Sequence, residues 1–387
     1  MKTEVEPKAV EPSLNGAAPA FFISQANGES FPTREALNEH YKKMTVLEKD
    51  QAVITLHFQK YLSDSPVGKE ELQKQYSAGD ELTTNSWMDE WRYNKRQNLM
   101  RFDPVKSQAS SESGKFAYRP VIIAGSGPSL KKNAAQLKDL GDIGLVSCLH
   151  NFAYFHDLGV KPDYFLNLDA GNITLWEMSQ GGEKSPEEYW EATKDHTLVT
   201  ALHCNPQLHE KWKGKILWFD TALEGMNVGL YEEFPEFQDF RLIFQTGGNT
   251  LGSCHYMAKA ILGGSPIVFV GADFAFSYDK KFHPFDSPYD RKFAGTVPVT
   301  DVFGNRVHTW PSYYGFKTWF EFMAMGGHAG TPGTYINCTE GGILGAYPQG
   351  NIMAIQQRSL LSVLREYKLH SELPKILEDK SKYWTLY

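Results

Sequence analysis

Cysteine is scarce and scattered in this 387-residue chain: Cys148, Cys204, Cys254 and Cys338 show no Cys-x-x-Cys spacing. That pattern argues against a disulfide framework and for reduced, buried thiols. His150, His203 and His255 lie near cysteines, but the spacing fits no standard zinc site. Positive charge is also short. A net charge of −7 and a pI near 6.0 argue against a general nucleic-acid binder, whose affinity comes from neutralising phosphates with Lys and Arg. No run approaches the roughly 18 apolar residues of a membrane helix. The stretch after Met1 lacks an apolar signal core, so a cytoplasmic protein with no membrane span is expected.

One glycine is missing where it would matter most. The apolar run Val121 to Ala124 ends in Gly125-Ser126-Gly127, and Pro128-Ser129-Leu130 follows in place of the third glycine of a dinucleotide fingerprint. The leucines after Ser129 are spaced for one face of a helix. A strand, a tight glycine turn and a helix start together expose backbone N–H groups to a phosphate. An anion site is therefore expected here, and an NAD site is not.

Around this turn the chain divides by composition. Residues 1–30 are polar and without periodicity and read as a disordered tail. Residues 31–102 carry three- and four-residue apolar steps, such as Leu37, Tyr41, Met44 and Leu47, and read as a helical cap. Residues 103–117 form a small-residue linker. From 118 to 350, short apolar strands alternate with helices, which predicts an α/β fold: a Rossmann-like, doubly wound, mostly parallel sheet. Right-handed crossovers then place all the strand-to-helix loops on one edge, where ligands of such sheets bind. Ala275 to Ala294 reads as a lid-like loop and Val297 to Thr309 as a hairpin. In the C-terminal segment, 351–387, a helix is predicted over Met353 to Tyr367.

Four stretches, taken in order, resemble the 6-hydroxymethylpterin diphosphokinase MptE-like domain family, which includes the flagellar motility accessory factors. They are Ile122 to Leu130, Gly247 to Thr250, Val268 to Ala275 with His283 after it, and Tyr335 to Gly342. The resemblance extends to bacterial sialyltransferases, which carry a similar Gly-x-Gly-Pro-Ser turn and an Asn that matches Asn151. It implies a nucleotide-dependent transferase. The favoured reaction moves a nonulosonic, sialic-acid-like sugar from a CMP donor to a hydroxyl of a protein or glycan, with no required cofactor. One alternative is Mg²⁺-dependent pyrophosphoryl transfer from ATP to a hydroxymethylpterin. Another is a nucleotide-binding module without chemistry, which Ala272 in place of the usual Gln supports.

Each candidate residue has a chemical reason. Gly125, Ser126, Gly127 and Ser129 would cradle a donor phosphate, and Gly247, Gly248, Asn249 and Thr250 repeat the device at a second helix start. Asn249 either contacts the nucleotide or caps its helix. Asp169 and Asp273 both end strands on the ligand edge. Beside a phosphate they would either hold Mg²⁺ or bind neutral hydroxyls. His283 and His308 are candidate bases, because an imidazole that titrates near neutrality suits removing a hydroxyl proton. Tyr313, Asn337, Thr339 and Glu340 complete the set as acceptor- or sugar-binding residues.

Overall fold

Val121–Ala124 has an apolar side chain at every position, and in the computed structural model it forms a central strand, β1, buried on both faces. The structure describes residues 86–368 except 222–225, 228, 241, 292, 325–333 and 348–349, together with a ribbon pairing Phe22–Ile23 with Ser30–Phe31. The tail, and the cap up to residue 85, otherwise lie outside the described residues.

A helix, α1, spans 86–101. After β1 come α2 (Leu130–Asn133), β2 (Gly144–Cys148), α3 (Phe152–Leu158), β3 (Tyr164–Asn167), α4 (Ile173–Glu177), α5 (Pro186–Ala192) and β4 (Thr197–Ala201). Next are α6 (Pro206–Lys211), β5 (Lys215–Thr221), β6 (Ile243–Phe244), α7 (Thr250–Tyr256, extended by a π-turn to Ile261) and β7 (Ile267–Val270). A hairpin of β8 (Val297–Thr300) and β9 (Arg306–Thr309) leads into α8 (Pro311–Ala324), then β10 (Tyr335–Asn337) and β11 (Ile355–Gln357). A last helix, α9, covers 360–368.

Among the described residues nine strands form one sheet in the order β11-β10-β7-β1-β2-β3-β4-β5-β6, and each of these pairings is parallel. The fold is thus the predicted Rossmann-like α/β class. Side chains alternate across the sheet. Val121 and Ile123 face a core shared with α7 and α8, whereas Ile122 and Ala124 face one shared with α2, α3 and α9. Helices on both faces account for strands that are apolar throughout.

Two stretches differ from expectation. The predicted helix over 353–367 opens instead with β11, which pairs with β10 and buries Ile355. Its Met, Ala and Gln residues favour a helix, but a free sheet edge offers a ladder that local propensity does not outweigh. Residues 103–117 are packed rather than loosely linking: Ala109 and Phe116 are buried, and the Trp218 N–H donates to Ser107 O at 2.8 Å. No helix among the described residues is long and apolar enough to cross a membrane.

α1 sits over the carboxyl ends of the strands, held by polar groups on one face. Asn98 donates to the carbonyls of Leu202 and Cys204, both at 2.8 Å. Lys95, 0% exposed, meets the carboxylate of Asp220, 3% exposed, at 2.7 Å. Removing one partner of a buried ion pair strands the other charge. Lys95→Met is expected to lower the unfolding free energy by about 3–5 kcal/mol in urea titrations, and adding Asp220→Leu to recover part of that loss.

Candidate active site

From β1 the chain winds outward to β6, then returns to lay β7 on the other side of β1. The gap between the carboxyl ends of β1 and β7 is therefore the topological switch point, the usual ligand crevice of such sheets. Gly125-Ser126-Gly127 and Gly271-Ala272-Asp273 meet there. A Cβ on Gly125 would lie 2.5 Å from Gly271 O, and one on Gly127 would overlap the Asp273 carboxylate. Only glycine permits this approach.

The approach consumes donors that the sequence assigns to a phosphate. The Gly127 N–H donates to Gly271 O at 2.9 Å. Ser129 donates its N–H to Asp273 at 3.3 Å and its hydroxyl at 2.7 Å. An internal carboxylate thus occupies the start of α2, where a phosphate was expected. Burial pushes Asp273 up to about 7, against the opposing hydrogen bonds from Ser129, so much of it is neutral near pH 7.

What the turn leaves open is Ser126. Its carbonyl accepts from His283 Nδ1 at 2.8 Å. A carbonyl can only accept, so the imidazole proton resides on Nδ1 and Nε2 carries the lone pair. Burial, together with the nearby His150, lowers His283 to about 3, so the ring is neutral. The rings of His150 and His283 meet edge to face, 4.4 Å between centroids, and His150 Nε2 pairs with Gln180 Oε1 at 2.9 Å. Asn151 braces the turn from β2, donating to Gly125 O at 3.0 Å. Four buried polar atoms of these residues have no partner among the described residues: Ser126 Oγ, Asn151 Oδ1, Gln180 Nε2 and His283 Nε2. Buried polar atoms are rarely left unpaired, so this connected group has hydrogen-bonding capacity to offer a ligand or water.

The next strand end carries an acidic wall. Asp169 Oδ1 accepts the Gly171 N–H at 2.9 Å, and burial, with Glu177 and Glu90 adding to it, raises its pKa. Tyr289 donates to Glu177 at 2.8 Å. Tyr313, raised by burial and by the Glu177 charge, packs on Phe282 beside them. Asp273 is three strands from Asp169, roughly 14 Å at ~4.8 Å per strand, too far to share one Mg²⁺. Among the described residues no group of three His, Cys, Asp or Glu side chains could hold a metal. Asp169 and Asp273 therefore cannot hold one Mg²⁺ between them.

Other expected residues hold the frame. Asn249 Oδ1 caps α7 through the Gly252 N–H at 2.8 Å, with Gly247 and Gly248 at positive φ before it and Thr250 opening the helix. α7 returns to the switch point, where its Leu251 stands 3.4 Å from a Cβ built on Gly125. Thr339 Oγ1 accepts the Ala272 N–H at 3.1 Å, and Asn337 bonds Leu344 O and Gln357. Glu340 Oε1 accepts the Leu360 N–H at 3.0 Å and so caps α9. His308 pairs with Thr296 at 3.3 Å beside the hairpin and packs against the Phe293 ring. His150, Gln180, Glu177 and Tyr289 went unassigned from sequence. Only His150, two residues past a strand end, carried a positional signal.

The Asp273 shift has a stability consequence. A carboxyl whose folded pKa is raised holds its proton more tightly when folded. Its contribution is full below about 4 and is lost as pH rises through about 7. Asp273→Asn does not ionise. Its melting temperature relative to wild type is expected to climb between pH 4 and 8 and then level off.

Residues 95–279 match the family model described as 6-hydroxymethylpterin diphosphokinase MptE-like. No curated protein matches significantly. A solved structure of a MAf glycosyltransferase from Magnetospirillum magneticum AMB-1 aligns with 15% identity and a TM-score of 0.48. The alignment covers 71% of this chain and 39% of that one, so this chain spans about two fifths of its length.

Proposed function

We propose that the protein is a nucleotide-dependent transferase that moves a nonulosonic sugar from a CMP donor to a hydroxyl by direct displacement with inversion. The observation that carries this is His283: a neutral, buried imidazole, fixed by Ser126 O, with an unpartnered Nε2 beside the glycine turn. In the reaction the acceptor oxygen attacks the anomeric carbon as its proton passes to His283 Nε2. The bond from that carbon to the phosphate oxygen breaks, and CMP leaves with the electron pair. The Ser126 hydroxyl, without a partner among the described residues, is available to donate to that oxygen. A partly neutral Asp273 reduces repulsion of the phosphate. As phosphate charge grows in the transition state, it stabilises the imidazolium and raises the basicity of a ring that is weakly basic in the free site.

Pyrophosphoryl transfer is the reading named in the family description, but it would need Mg²⁺ on the β- and γ-phosphates, and the two aspartates do not converge.

Thermal-shift assays with CMP, CTP and ATP, each with and without Mg²⁺, test the donor. CMP and CTP are expected to stabilise the protein without Mg²⁺. A response to ATP plus Mg²⁺ alone would overturn the glycosyl reading. His283→Ala is expected to lower turnover about 10²–10⁴-fold at unchanged CMP binding. His283 is in its base form above about pH 3, so kcat/KM should show no acid limb from it between pH 5 and 7. Nucleotide binding without turnover of any CMP-sugar would make the chain a binding module.

A further inference from the structure

A second cleft opens on the same sheet edge, past Asp169, between α1 and the loops that follow β3 and β4. It holds about 340 Å³, within the range of small-ligand sites. Its walls are amide-rich, and much of their hydrogen-bonding capacity is unused. Asn172 Oδ1 accepts from Asn205 at 2.6 Å, which leaves its Nδ2 free among the described residues. Gln97 Oε1 accepts from Arg101 at 2.9 Å, and its Nε2 is free in the same sense. The side chains of Glu90 and Gln207 make no hydrogen bond among those residues. Tyr93, 60% exposed, adds a bare aromatic ring.

Charge decides what class of ligand suits these walls. Among the described residues of the lining the one cation, Arg101, already pairs with Glu210, and Glu90 would repel an anion. A phosphate or nucleotide is disfavoured. Interspersed free donors and acceptors match a molecule with many hydroxyls, each of which both donates and accepts. An exposed tyrosine ring offers a flat apolar surface to the C–H face of a sugar. The cleft also adjoins the acidic wall at Asp169. Asn94 on α1 donates to Ala170 O at 3.3 Å, and Asn172 lies three residues beyond Asp169.

We propose that this cleft binds a neutral pyranose and is the subsite for a saccharide acceptor. The acceptor role rests on the transferase reading above; the saccharide binding does not. The acidic wall of Asp169 and Glu177 then lies between the acceptor sugar and His283, suited to accept hydrogen bonds from its hydroxyls.

Saturation-transfer NMR on the full chain, with methyl β-galactoside and methyl β-glucoside as probes, tests the cleft. At least one glycoside is expected to show transfer concentrated on one ring face. Tyr93→Ala and Gln207→Ala, both at exposed positions, should each reduce that transfer at least fivefold. Their melting temperatures and their CMP-induced thermal shifts should stay as in wild type. No transfer from either glycoside, or transfer unchanged in both variants, would overturn the proposal. Transfer that depends on Tyr93, in a chain that no nucleotide stabilises, would keep the saccharide site and remove its acceptor role.

Discussion

The contact of Gly125 and Gly127 with Gly271 and Asp273 is the constraint on which the rest of the site depends. Two strand ends approach so closely that no side chain fits between them, and Ser129 closes the junction on the Asp273 carboxylate. The donors at the start of α2 are thereby satisfied from within the protein. The turn in consequence presents the Ser126 carbonyl, and that carbonyl selects the His283 tautomer. Neighbouring elements serve the same junction: Thr339 holds the Ala272 N–H, and Asn151 holds the Gly125 carbonyl.

Burial then sorts charge along the sheet edge. Near the switch point it favours neutral forms, lifting Asp273 and lowering His283. Further along, Asp169, Glu177 and Glu90 make an acidic stretch that ends at the amide-lined cleft. Under the proposed reaction, the phosphate-bearing donor would meet the uncharged end, and the hydroxyl-bearing acceptor the acidic one. The buried ion pair of Lys95 and Asp220 helps to hold α1 above this edge. The helix so placed supplies one wall of the second cleft.

Much of the fold was legible because its signals are local. Continuous apolar runs such as Val121–Ala124 and Ile267–Val270 have the length of buried strands, and glycines punctuate their ends. The cap of Asn249 on α7 follows from its place just before the helix. β11 was not legible, because Ile355–Gln357 becomes a strand only when β10 offers an edge. Nor was the group of His150, Gln180 and His283 legible, since their contacts cross from one loop to another.

By itself the sequence determined the strands, the glycine turn and the alternation that makes the sheet parallel and doubly wound. Each of these rests on the backbone and side-chain preferences of neighbouring residues. Tertiary structure alone decided what the turn's donors bind. Ser129 and Asp273 are 144 residues apart and meet only because β7 returns to lie beside β1. The same return placed a carboxylate where the pattern suggested a phosphate. It also moved the prospective ligand contacts to Ser126 and His283, since a hydrogen-bond donor already satisfied inside the protein is no longer available to a ligand.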